Sequence, residues 1–204
     1  MEVRLATTAG FCMGVRRAVD MVLDLAQHKG QKTVYTYGPL IHNPQTVALL
    51  QKRGIIPIRS LDEIDGADRG SLIIIRAHGI SPAERKRIKE RGIRIMDATC
   101  PRVGRVQAII KKHAARNYTV LIVGDEEHPE VDGLLGYTAG RGVVVSDRSA
   151  IDRLPELDRV CVVAQTTQNP DEYQEIVGKI RERFPQAEVF DTICDSTEKR
   201  QMEV

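Results

Sequence analysis

Thr33–Leu50, TVYTYGPLIHNPQTVALL, and Thr119–Leu135, TVLIVGDEEHPEVDGLL, are two versions of one pattern. In each, an apolar, β-branched run ends in glycine, and a short segment carrying His and then Pro opens a helix. His42 and His128 occupy the same place, 86 residues apart. The likeness continues outward. Ser71–Glu84, SLIIIRAHGISPAE, matches Arg159–Glu172, RVCVVAQTTQNPDE, and aligns His78 approximately with Thr166. Gly92–Pro101, GIRIMDATCP, matches Ala187–Ser196, AEVFDTICDS, and sets Cys100 against Cys194. Val3–Val19, VRLATTAGFCMGVRRAV, is a third instance of strand, turn, cysteine and helix, carrying Cys12. Self-similarity at this period marks an internal duplication.

Short β-rich runs alternating with helical ones predict an α/β fold of repeated lobes, with parallel sheets flanked by helices. Strands are expected at Val3–Thr7, Thr33–Tyr37, Leu72–Arg76, Ile93–Asp97, Tyr118–Val123, Val143–Ser146, Val160–Ala164 and Glu188–Thr192. Helices are expected at Val15–His28, Gln45–Lys52, Pro82–Glu90, Arg102–Arg116, Glu130–Tyr137 and Asp171–Phe184. Ser81-Pro82-Ala83-Glu84 reads as a capping box with Pro at the first helical position, and Asn169-Pro170 opens a helix the same way.

The repeat sorts the four cysteines. Cys12, Cys100 and Cys194 recur where a strand's carboxyl end meets a helix start, at separations of 88 and 94 residues. Open α/β units place ligand sites there, and helix amides can stabilise a thiolate. Cys161 lies inside an apolar strand and reads as packing. Repeats arranged around a pseudo-three-fold axis would bring the three recurring thiols together. Three thiolates suit a soft-metal site, either zinc or an iron–sulfur cluster. Structural zinc favours four ligands and close C-x-x-C pairs, which do not occur here; ligands from distant segments suit a cubane with one open iron. The spacing alone leaves both readings open.

Each repeat also presents polar groups near strand ends: His42, His78, His128, Glu130 and Thr166. Imidazoles and helix starts can bind a phosphate ester, and Glu130 on the first turn of its helix can share protons with His128. The plainer reading is that His42 and His128 cap helices and Glu130 favours a positive helix end. His28 and His113 lack repeat partners and read as solvent-facing.

Composition limits the alternatives. The chain has 204 residues, 42% apolar and 28% charged, with 30 Lys and Arg against 28 Asp and Glu, a net charge of +2. That is material for one large domain or two small ones, without the basic excess of a general nucleic-acid or membrane-surface binder. Three Phe, five Tyr and no Trp argue against stacking platforms for single strands. No apolar run approaches the roughly 20 residues of a membrane span. The start, MEVRLATTAGFC, lacks a basic segment followed by an apolar stretch, so a cytoplasmic chain with reduced thiols is expected.

In order along the chain, GFCMGVRRA around Cys12, GPLIHNP around His42, RAHG at His78, DATCP at Cys100, HPEVDG at His128 and Glu130, QTT at Thr166 and DTICDSTEKRQ at Cys194 resemble one family, the 4-hydroxy-3-methylbut-2-enyl diphosphate reductases of the non-mevalonate isoprenoid pathway. The resemblance implies that Cys12, Cys100 and Cys194 hold a 4Fe–4S cluster whose fourth iron meets the substrate's hydroxyl. It implies that His42 and His78 bind the diphosphate, that His128 lies at the hydroxymethyl end, that Thr166 orders the hydroxyl or a water, and that Glu130 is the proton source. The implied reaction is a reductive dehydroxylation of the allylic diphosphate to isopentenyl and dimethylallyl diphosphate, with ferredoxin or flavodoxin as electron donor.

Two departures accompany the resemblance. Ser196 stands where the family usually has Ala, and the sequence stops at Val204 where the family continues for roughly another repeat. The expected organisation is therefore a strand and Cys loop over 1–13 belonging to a third lobe, a first lobe over 14–99, a second over 100–193, and over 194–204 the start of a third lobe that is largely missing. The competing expectation is a truncated, non-catalytic metal-binding or interaction protein that retains the three cysteines.

Overall fold

The computed structural model describes residues 3–28, 30, 32–64, 70–196, 199 and 202–203. It divides into two compact units, Met13–Gly104 and Met1–Cys12 with Arg105–Val204.

In residues 13–104 the elements run α1 (Met13–His28), β1 (Val34–Tyr37), α2 (Pro44–Lys52), β2 (Ile55–Ile58), β3 (Leu72–Ile75), α3 (Pro82–Glu90) and β4 (Arg94–Asp97), with α4 (Pro101–Ala114) beginning at the end of the unit. The sheet order is β2-β1-β3-β4, every pair parallel. A parallel sheet covered on both faces needs apolar side chains on both, which is why β3 reads LIII without alternation. Successive side chains still point opposite ways. Val34 and Ile74 pack with Ala18, Val22 and Leu50 of the helices on one face. Tyr35, Tyr37, Ile73 and Ile75 pack with Ile88 of α3 on the other. Asn43 caps α2 by accepting the Thr46 N–H at 2.8 Å, and Ser81 and Glu84 form the expected capping box of α3.

The other unit repeats the plan. β5 (Thr119–Val123), α5 (Pro129–Leu135), β6 (Gly142–Val145), α6 (Arg148–Asp152), β7 (Val160–Ala164), α7 (Pro170–Arg183) and β8 (Glu188–Val189) follow α4. Its sheet order is β6-β5-β7-β8, again all parallel. Leu121, Val123, Val162 and Ala164 pack against Ile151 of α6 and Tyr173, Ile176, Val177 and Ile180 of α7.

Four readings of the sequence change. Val3–Thr7 forms no strand: its apolar residues Val3 and Leu5 are 83% and 86% exposed, and no strand among the described residues pairs with it. Alternating pattern without a neighbouring strand does not make sheet. β2 was unrecognised because Pro57 interrupts IIPI; as an edge strand it tolerates the missing N–H. α6 escaped notice because it is one turn long, although Asp147 caps it at the Ser149 and Ala150 amides. His113, expected in solvent, is only 3% exposed, its ring set between Ile109 O (2.7 Å), Glu188 (3.2 Å) and Phe190.

Candidate functional site

In a sheet of order 2-1-3-4 the chain leaves the first strand in one direction and the third in the other, which opens a crevice between their carboxyl ends. Both units use that place. In residues 13–104, His42 follows β1 and His78 follows β3, and their rings lie 4.7 Å apart, centroid to centroid, tilted by 43°. His42 is exposed and His78 half-buried. Gly38, the first residue after β1, adopts φ +74°, and a side chain there would run into the Arg76 guanidinium; glycine lets the loop to His42 leave the sheet beneath that arginine.

In the other unit the corresponding loops carry an acid. Glu130 is 1% exposed, on the first turn of α5. Its carboxylate accepts the Thr166 N–H at 2.7 Å and the Thr166 hydroxyl at 2.8 Å. Burial pushes its carboxyl above the ordinary value, and the two Thr166 bonds oppose that without reversing it. The group is thus biased toward the protonated acid. Once protonated, it can donate to the Thr166 hydroxyl, which then donates onward.

His128 is the N-cap of α5, and its Nδ1 accepts the Glu130 N–H at 3.1 Å. An accepting Nδ1 fixes the neutral ring as the Nε2–H tautomer, so its other nitrogen is a donor. Capping and function are not alternatives here. The cap of α2 is Asn43, which leaves the neighbouring His42 ring out of that role.

The recurring cysteines keep their expected slot. Cys12 immediately precedes α1, Cys100 immediately precedes α4, and Cys194 immediately precedes the helical Asp195 and Ser196. All three are half-buried thiols. Cys161 is 0% exposed in β7, and burial pushes its thiol up to about 12, which makes it inert at neutral pH. Cys100 N–H donates to Ala77 O at 2.9 Å and Cys194 N–H to Thr166 O at 2.7 Å. By these bonds Thr166 corresponds to Ala77, one residue before the His78 that sequence alignment suggested.

His42 and His78 are therefore brought together in one unit, with Cys100 tied to the residue before His78. His128, Glu130, Thr166 and Cys194 are brought together in the other. Three further residues went unread. Asp97 and Asp191 stand three positions before Cys100 and Cys194, each bending the chain by accepting the amide two residues on, at 2.9 Å and 3.1 Å. The shared D-x-x-C spacing carried that signal. Gln165 is buried behind Thr166, accepting the Asp125 N–H at 2.8 Å and donating to the Thr167 hydroxyl at 2.9 Å. Among the described residues no helix is long and apolar enough to cross a membrane.

The LytB protein family profile matches residues 3–204. The 4-hydroxy-3-methylbut-2-enyl diphosphate reductase of Opitutus terrae is 44% identical over all of this chain and 73% of its own length. That of Citrifermentans bemidjiense is 41% identical, again over the whole chain and 70% of its length. A solved structure of (E)-4-hydroxy-3-methyl-but-2-enyl diphosphate reductase, the terminal enzyme of the non-mevalonate pathway, superposes with TM-score 0.86 at 38% identity, covering 98% of this chain and 71% of that one. The Plasmodium falciparum reductase structure gives TM-score 0.89 at 31% identity, covering 95% and 61%. The α/β fold with parallel sheets is thus that of these reductases, and the chain belongs to the LytB protein family of oxidoreductases.

Proposed function

We propose that this chain carries the reductive dehydroxylation of 4-hydroxy-3-methylbut-2-enyl diphosphate to isopentenyl and dimethylallyl diphosphate. The observation that carries this reading is the buried Glu130 acid on the Thr166 N–H and hydroxyl. Replacing an allylic hydroxyl by hydrogen consumes two electrons and two protons and releases water. Hydroxide is a poor leaving group, so a proton must reach it as the C–O bond breaks. Glu130 is the source of that proton, and the Thr166 hydroxyl passes it on. His128, with its Nε2–H as donor, orients the hydroxymethyl end. His42 and His78, whose ring centroids lie 4.7 Å apart, bind the diphosphate.

Cys12, Cys100 and Cys194 would hold a 4Fe–4S cluster. The donor set suits it: three half-buried thiols in equivalent helix-start slots. Space suits it as well. A Cβ on Gly14 would lie 2.5 Å from Cys100 Sγ, so glycine keeps a side chain off that thiol. When bound, the cluster supplies the electrons one at a time and a Lewis-acid iron for the leaving hydroxyl; ferredoxin or flavodoxin is the proposed donor.

Anaerobic reconstitution of the chain should give a brown protein with about four irons that turns over the allylic diphosphate with a strong artificial reductant. A colourless, iron-free product would sink the cluster assignment. Iron uptake without turnover would replace the catalytic reading by the non-catalytic metal-binding one.

A further inference from the structure

The two cysteine-bearing segments repeat each other closely enough to single out one substitution. In residues 13–104 the stretch leading to Cys100 is fastened to the end of β3 by two backbone bonds. Ala98 N–H donates to Ile75 O at 3.0 Å, and Cys100 N–H donates to Ala77 O at 2.9 Å. The stretch leading to Cys194 starts with the same aspartate turn and ends with the same bond, Cys194 N–H to Thr166 O at 2.7 Å. At the position of Ala98 it has Thr192. The Thr192 hydroxyl donates to Ala164 O at 2.7 Å and accepts the Ala164 N–H at 2.8 Å. Ala164 is the counterpart of Ile75, since each lies two residues before the carbonyl that receives the cysteine amide.

We propose that Thr192 is a positioning residue whose hydroxyl makes the rung that a backbone N–H makes in the other unit, and so sets Cys194 against Thr166. Both bonds are buried, and Thr192 is 8% exposed. A buried hydroxyl bonded to both the N–H and the C=O of one residue holds the two peptide groups that flank it more firmly than packing does. Ala164 and Thr166 flank Gln165, so the chain is clamped on both sides of the turn that presents Thr166 to Glu130. β8 ends at Val189, short of the expected Thr192, and this side chain carries the pairing onward toward the cysteine. The consequence for a cluster ligand and a proton relay rests on the function proposed above; the hydrogen bonding does not.

The test compares the cluster-free full chain with Thr192→Val and Thr192→Ser by residue-resolved amide hydrogen exchange. The Cys194 amide should exchange about tenfold faster in the Val variant, with the Cys100 amide unchanged and wild-type exchange restored by Ser. Equal exchange at Cys194 in wild type and Thr192→Val overturns the proposal. So does a uniform rise across β7 and α7, which marks general loosening. If Val prevents folding, Thr192→Ala, the residue the other unit carries, reads the same bond. Anaerobic iron loading gives the second readout: Thr192→Val should retain less iron and change the electron paramagnetic resonance line shape, with Ser restoring both. A wild-type chain that takes up no iron overturns the cluster assignment alone, while the Cys194 exchange still decides the role of Thr192.

Discussion

The two units place different chemistry on one scaffold. Each has a parallel sheet of order 2-1-3-4 and uses the crevice between its first and third strands. In residues 13–104 that crevice presents two imidazoles, one of them exposed. In the other it presents a carboxyl group at 1% exposure, bonded twice to Thr166. Topology fixes where the loops converge, and it fixes it twice. What converges is decided by the side chains, and above all by how far each is taken out of water. A partly exposed imidazole pair can meet an anion arriving from water, whereas burial biases a carboxyl toward its protonated form.

The contrast predicts a split in kinetics. Glu130→Gln retains both Thr166 contacts in outline and removes the transferable proton. It should lower kcat by about 10²–10⁴-fold with little change in KM. His42→Ala and His78→Ala should do the reverse, each raising KM about 10- to 100-fold through loss of a bond to charged oxygen. Steady-state kinetics on all three variants check this, and a shared kcat loss would erase the distinction between the two crevices.

A smaller effect separates the helix caps. His128→Ala loses the cap of α5 and should cost about 1 kcal/mol, whereas His128→Asn restores the cap without restoring turnover. Asn43→Ala should cost a similar amount, about 1 kcal/mol, in the other unit with turnover unchanged. Thermal melts beside activity assays distinguish a residue that caps and acts from one that only caps.

The smallest expected effect is the opposite pH response of two carboxyl groups. Glu130, raised by burial above its ordinary 4.5, adds stability that is full below that value and is lost as pH rises through its folded value. Burial pushes Asp97 up too, but bonds from Thr99 and Arg85 outweigh it and hold the group below its ordinary 3.8. Its contribution is present above that value and is lost as pH falls through the folded one. Glu130→Gln should therefore flatten the decline on the alkaline side and Asp97→Asn the decline on the acid side. Melting temperatures measured across about pH 3 to 9 would show it, and slopes changed on the same side in both variants would contradict it.

Much of the site was legible because it is duplicated. A lone cysteine says little, but one recurring before three helices separates itself from Cys161, whose strand VCVVA is buried throughout. Prolines 44, 82, 129 and 170 mark helix starts for a local reason, the fixed φ and the missing N–H, and all four helices begin at them. Where local signals conflict with context, the sequence misleads. Pro57 disguises an edge strand, and Val3 and Leu5 imitate a strand for which no described partner exists. His113 looks like a surface residue at the end of a basic helix turn. Its burial comes from Tyr118, Phe190 and the hydrogen bond with Glu188, 75 residues away.

The sequence by itself determined the α/β class, the parallel repeat, the thiols that recur at strand-to-helix junctions and the loops that carry polar groups. These depend on periodicity, on turn chemistry and on the duplication, all of them local or self-referential. Only the tertiary structure decided that Glu130 is buried and bonded to Thr166, that His128 is pinned in one tautomer, that Gly14 clears Cys100, and that Thr192 stands in for a backbone rung. The His128 cap is local, spanning two residues, but the others join residues far apart in the chain, and the strength of a hydrogen bond or the proton affinity of an acid is set by the groups and the water that folding leaves around it.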